Sequence, residues 1–159
     1  MLNFISISGP NCNAWVIIDL AINLLGFTSV PFYQALGGDA VINVLEETAV
    51  TSLFGSSSDL IKIAKLPNTA EITTLVCFDD VTDELRDVTK DFTLLDYWAE
   101  IKSEAISGHQ VIPPMIPPTR DSILTLSYTS GTTGRPKGAM ISNGNMLSGL
   151  RNLAHVAPL

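Results

Sequence analysis

A chain of 159 residues, 46% of them hydrophobic and only 16% charged, is long enough for one domain with a real core and too apolar for a disordered segment. Its formal net charge of −7 argues against a general nucleic-acid binder. The mean hydropathy of +0.31 is high for a soluble domain standing alone.

Along the chain, short β-rich runs alternate with helix-like stretches. Phe4–Ser8 reads as a strand ended by the turn Gly9-Pro10-Asn11. Trp15, Ile18, Leu20, Ile22 and Leu25 follow at near-helical spacing, with Gly26 as the stop. Residues 27–32 form the second expected strand, Asp39–Thr48 a helix, and Val50–Phe54 the third strand. A serine cluster suited to capping opens a helix over Ser58–Leu66, and Thr73–Phe78 is the fourth strand. This alternation predicts an α/β fold with a parallel sheet flanked by helices. Asp79–Asp91 is an acidic, solvated loop with a short helix, and Leu94–Ile106 is expected to be helical. The run VIPPMIPPTRD at 111–121 excludes helix and acts as a stiff connector. Ser122–Tyr128 is then a strand, and Asn145–Ala157 a helix with Met146, Leu147, Leu150, Leu153 and Ala154 turned inward.

Three units result: an α/β subdomain over 1–110, the connector over 111–121, and a strand, loop and helix over 122–159. Ala14–Tyr33 is apolar enough to resemble a membrane span, but Asp19, Asn23, Gly26 and Pro31 interrupt it. A soluble helix followed by a buried strand fits better. No basic region precedes the first apolar residues, so no secretory signal is expected. Cys12 and Cys77 have neither disulfide-framework nor metal-ligand spacing, and neither His109 nor His155 has a partner at ligand spacing. No metal site is expected.

The charge is unevenly distributed. Residues 1–119 hold five Lys/Arg against fifteen Asp/Glu, a balance of −10, while residues 120–159 hold four against one, or +3. The positive part contains Tyr128-Thr129-Ser130-Gly131-Thr132-Thr133-Gly134-Arg135-Pro136-Lys137-Gly138. Its glycines let backbone N–H groups surround an anion, its hydroxyls donate to phosphate oxygens, and Lys137 adds a point charge. A loop that directly follows a buried strand sits at the C-terminal edge of a sheet, where α/β folds bind ligands. The Walker pattern is absent because the chain has no Gly-Lys pair. Composition alone leaves a ligand-free Ser/Thr/Gly hairpin open; the ordered string does not.

That string resembles the signature loop of adenylate-forming enzymes: acyl-CoA synthetases, luciferases and peptide-synthetase adenylation domains. The segments 9–21 and 26–37 resemble the N-terminal part of long-chain acyl-CoA synthetases, and Pro117–Asp121 leads into the loop as it does there. The resemblance implies a ligase for which ATP, Mg²⁺ and CoA are cofactor or co-substrate. A fatty carboxylate attacks the α-phosphate to give acyl-AMP and pyrophosphate, and the CoA thiol then displaces AMP. It also implies that Thr129, Ser130, Gly131, Thr132, Thr133, Gly134 and Lys137 hold the β- and γ-phosphates, with Arg135 exposed.

Where the family commonly has a histidine, this chain has Asn143, a good helix cap. The family's adenine- and Mg²⁺-binding Tyr-Gly-x-Thr-Glu segment, its ribose-binding Asp and its C-terminal catalytic Lys are not in these residues. The expectation is therefore a fragment that carries no catalytic residue. Its full-length protein would be intracellular, either cytoplasmic or peripheral on a membrane such as the endoplasmic reticulum. The alternatives are another acyl or aryl adenylating enzyme, or an inactive truncated pseudoenzyme serving as an interaction module.

Overall fold

The computed structural model describes residues 3–32, 36–67, 69, 71–108, 114–129 and 135–156. The elements run β1 (Phe4–Ser8), α1 (Asn13–Leu24), β2 (Thr28–Phe32), α2 (Gly38–Thr48), β3 (Ser52–Gly55), α3 (Ser57–Ala64) and β4 (Thr74–Cys77). After these come α4 (Asp83–Val88), β5 (Thr93–Asp96) and a π-helical turn, Tyr97–Lys102, that continues into α5 (Ser103–Ser107). The last three are β6 (Ile123–Thr129), β7 (Lys137–Ser142) and α6 (Asn143–Val156). The strands form one sheet in the order β5-β4-β3-β1-β2-β6-β7, parallel throughout except for the antiparallel β6–β7 pair. The first four strands expected from the sequence lie parallel in this sheet, and the expected class, α/β with a parallel sheet flanked by helices, holds.

Period-2 alternation sorts the strand residues between two cores. Leu53 faces a core built with Val44 and Leu45 of α2, Leu60 and Ile63 of α3, and Leu85 of α4. Its neighbour Phe54 faces the other way, toward Ile7 and the Ala14, Ile18 and Ile22 stripe of α1. The β1-to-β2 connection runs one way along the sheet, and the next three connections run the other. Connections of one handedness therefore place α1 on one face and α2, α3 and α4 on the opposite face. Side-chain caps start three of these helices, α1, α3 and α4: Cys12 Sγ accepts from Trp15 N, Ser56 Oγ from Asp59 N, and Thr82 Oγ1 from Leu85 N. At twelve residues α1 is too short to span a bilayer, and no described helix is long and apolar enough to cross one.

Pro31 has no N–H to give, and the β2–β6 ladder has a single registered pair, Ser29 with Thr125. Hydroxyls supply the rest of the join. Thr28 Oγ1 donates to Ile123 O at 3.0 Å, and Thr125 Oγ1 donates to Ser29 O at 3.1 Å.

The structure corrects four expectations. Residues 94–96 are part of strand β5, not helix; Asp96 ends the strand by accepting from Trp98 N and Ala99 N, both at 2.9 Å, which starts the π-helical turn. The helical spacing of Leu94, Trp98 and Ile101 concealed that boundary. Lys137–Ser142 is a strand, because Pro136 blocks helix and β6 supplies a pairing partner. In α6, Met146, Leu147, Leu150, Leu153 and Ala154 are exposed, not inward. Among the described residues, that helix is held at its start, where Gly144 N donates to Arg120 O at 2.8 Å. The fourth correction is its cap: Ser142 fills that role, not Asn143. Asn145 N donates to Ser142 Oγ, and Ser142 N donates to Asn145 Oδ1. Residue 157, the expected end of that helix, lies outside the described residues.

Candidate functional site

In doubly wound sheets a ligand crevice opens at the C-terminal ends of the strands where the connections diverge, here β1 and β3. This chain's own groups occupy part of that crevice, beside a cavity of about 110 Å³ lined by Ser8, Asp59 and Lys62. Gly9, at φ +145°, leaves room for the Phe78 ring, whose Cζ lies 2.6 Å from where a Cβ would stand. The first N–H of α3, on Ser57, donates to Asp79 Oδ1 at 2.6 Å, so a built-in carboxylate already holds the anion position. Nearby, the buried Asp59 is matched by Lys62 at 3.2 Å.

The described ends of the glycine-rich string, Thr129 and Lys137, lie at the same edge but further along the sheet. β6 runs parallel to β2, so its last residue, Thr129, emerges at the C-terminal edge as expected. The chain then returns as β7, antiparallel to β6, so the string connects two paired strands instead of a strand and a helix. Thr129 and Lys137 form the last registered pair, so the two face each other across the mouth. Both are exposed, as is Arg135, and among the described residues no ion pair takes either cation. Ser130, Gly131, Thr132, Thr133 and Gly134 lie outside the described residues.

Immediately below the mouth, Tyr128 pairs with Gly138. Tyr128 is 3% exposed, and its buried hydroxyl lies near Glu47. Burial, reinforced by the nearby Glu47 carboxylate, holds its pKa above the ordinary tyrosine value. Sequence reasoning included Tyr128 and Gly138 in the string but gave neither a role. The only available signal was that these two residues bracket the string. Asn143 is fully engaged at the far end of the hairpin, where its backbone N and Nδ2 donate to Ser122 O at 3.0 and 3.1 Å.

These features can hold an anion. A lysine and a threonine converge on the mouth of a loop rich in glycine and hydroxyl side chains. Among the described residues no group of three or more His, Cys, Asp or Glu could hold a metal ion.

The family model for AMP-binding enzymes matches residues 3–158. Long chain acyl-CoA synthetase 4 of Arabidopsis thaliana is 35% identical over 145 residues, which cover 89% of this chain and 21% of that protein. Fatty acyl-CoA synthetase B of Dictyostelium discoideum is 32% identical over 149 residues, covering 91% and 22%. Among solved structures, the A-PCP didomain of carboxylic acid reductase from Segniliparus rugosus, in complex with AMP, superposes with a TM-score of 0.75 at 27% identity. It covers 92% of this chain and 22% of that one. The chain thus spans about a fifth of the length of the curated relatives it matches.

Proposed function

The chain belongs to the AMP-binding enzyme family, and from that premise we propose that it is part of a long-chain fatty acid–CoA ligase. Such a ligase activates a fatty acid with ATP and passes the acyl group to CoA. The carboxylate oxygen bonds to the α-phosphorus as the bond to pyrophosphate breaks; the CoA thiol then bonds to the acyl carbon and AMP leaves. In this reading, residues 1–110 form the supporting α/β subdomain and 111–121 the connector, while 122–159 carry the phosphate site. Thr129, Ser130, Gly131, Thr132, Thr133, Gly134 and Lys137 hold the β- and γ-phosphates while pyrophosphate departs, a positioning and electrostatic task. Mg²⁺ enters as the counter-ion of ATP. The setting is intracellular, cytoplasmic or peripheral on a membrane such as the endoplasmic reticulum, where ATP and CoA are available.

One observation carries the reading: Thr129 and Lys137 face each other, exposed, across the mouth of the loop. The test is Lys137→Ala in the full-length polypeptide, assayed by palmitate-dependent ATP–pyrophosphate exchange with benzoate as the aryl alternative. Losing a charge-assisted hydrogen bond costs about 1.5–3 kcal/mol, so kcat/KM for ATP should fall roughly ten- to a hundred-fold. Palmitate binding should be nearly unaffected. An unchanged kcat/KM for ATP removes Lys137 from the site, and exchange driven by benzoate but not palmitate replaces the fatty acid.

A further inference from the structure

Gly138 ends the loop string, and the structure gives a specific reason for glycine there. Its φ is not positive, so backbone conformation does not demand it. Close approach does. A Cβ at this position would lie 3.0 Å from Leu126 Cδ1 and 3.1 Å from Tyr128 Cζ. Carbon atoms ordinarily rest about 3.5–4.0 Å apart. The Tyr128 ring therefore lies over bare backbone directly beneath the Thr129–Lys137 mouth. The contact with Gly138 is made by the ring, whose Cζ is the tyrosine atom nearest the Cβ position.

We propose that Tyr128 and Gly138 are a positioning pair for the phosphate loop. The ring seated on Gly138 sets the approach of β6 to β7 where the loop leaves and re-enters the sheet. That in turn makes Thr129 and Lys137 converge on one anion. The inference rests on the reading of the loop as the holder of ATP phosphates, and it adds what sets Thr129 and Lys137 against each other.

The test uses the full-length polypeptide and compares the KM for ATP with the KM for palmitate. Gly138→Ala moves the ring by a few tenths of an ångström, and misplacement of about 1 Å can cost a hundred-fold. A rise in ATP KM of about three- to tenfold is expected, with palmitate KM within about twofold. Tyr128→Leu should raise ATP KM in the same way, whereas Tyr128→Phe, which keeps the ring, should not. The double variant Tyr128→Leu/Gly138→Ala should be no worse than the larger single change, because both break one contact. Gly149→Ala, with nothing within 4 Å of its added Cβ, is the control.

The pairing is overturned if both substrates' KM values move together, if Tyr128→Phe behaves like Tyr128→Leu, or if the double variant is additive. If Gly138→Ala does not fold, the contrast between Tyr128→Leu and Tyr128→Phe decides. Lys137→Ala separates the two levels. If it leaves ATP use unchanged, Lys137 is removed from the site, and the phosphate role on which the pair rests is lost with it. If it impairs ATP use while the Gly138 and Tyr128 variants do not, only the positioning pair is lost.

Discussion

Asp79→Ala removes the carboxylate that occupies the start of α3, and its consequence can be sized from the structure. Oδ1 accepts from Ser57 N at 2.6 Å and from Cys77 Sγ at 3.2 Å. The first bond satisfies a helix-terminal N–H and places a negative charge at the positive end of the helix dipole. The side chain is exposed, so water and salt weaken that term, and the loss should match an ordinary helix cap at about 1–1.5 kcal/mol. Hydrogen exchange in α3 reads this locally, and the protection of its amides should fall about tenfold. Asp79→Asn keeps an acceptor without the charge and should lose about half as much free energy. A change in α3 protection under twofold, or equal losses from the two variants, would refute this account of the crevice.

The two thiols should differ sharply. Cys12 is exposed and should label readily with maleimide, while Cys77 should resist until the protein unfolds. Burial, foremost among several influences, pushes the Cys77 thiol up to about 12. A raised thiol pKa favours the folded state below the unfolded value of about 8.5 and loses that contribution as pH climbs toward the folded value. Cys77→Ala should therefore flatten the alkaline loss of stability, and identical pH profiles would contradict this. Apolar exposure gives the next prediction, because Leu20, Leu150 and Leu153 are 58%, 54% and 62% exposed. The 159-residue polypeptide should elute as associated species, and Glu at these three positions should shift it toward monomer. A monomeric parent chain would refute this.

Most of the fold was legible because buried parallel strands and amphipathic helices leave different periods. Phe4–Ser8 and Asp39–Thr48 could be read by that rule alone. β5 could not, since Thr93–Asp96 is a four-residue edge strand running without a break into a helical turn. β7 was hidden for another reason. Lys137–Ser142 contains Gly138 and Ala139, which have little strand preference, and its pairing with β6 is a tertiary fact that no local window contains. For the site, the string located Thr129 and Lys137 correctly at the sheet edge, but their facing register depends on the hairpin. The sequence also could not show that Gly138 is glycine for close approach, because a glycine required by φ looks the same.

The hairpin changes where the positive charge for an anion must come from. At a strand-to-helix phosphate loop, the helix N-terminus supplies part of it. Here the next helix, α6, begins at the opposite edge of the sheet, where Asn143 is bonded to Ser122 at the foot of β6. The six residues of β7 separate it from the loop, a distance of about 20 Å at the usual strand rise. At that range the dipole, which fades within a helix turn, contributes almost nothing. Its first N–H groups are also taken, since Asn143, Gly144 and Asn145 donate to Ser122, Arg120 and Ser142. On the proposed phosphate reading, attraction at the mouth therefore falls mainly to the exposed cations Lys137 and Arg135. Both cations are exposed, and exposed charges are screened over about 10 Å at 0.1 M salt. The KM for ATP should therefore climb with ionic strength, and Lys137→Ala should flatten that climb as well as raise its starting point. Parallel salt dependences in the parent and the variant would mean that Lys137 does not supply the attraction.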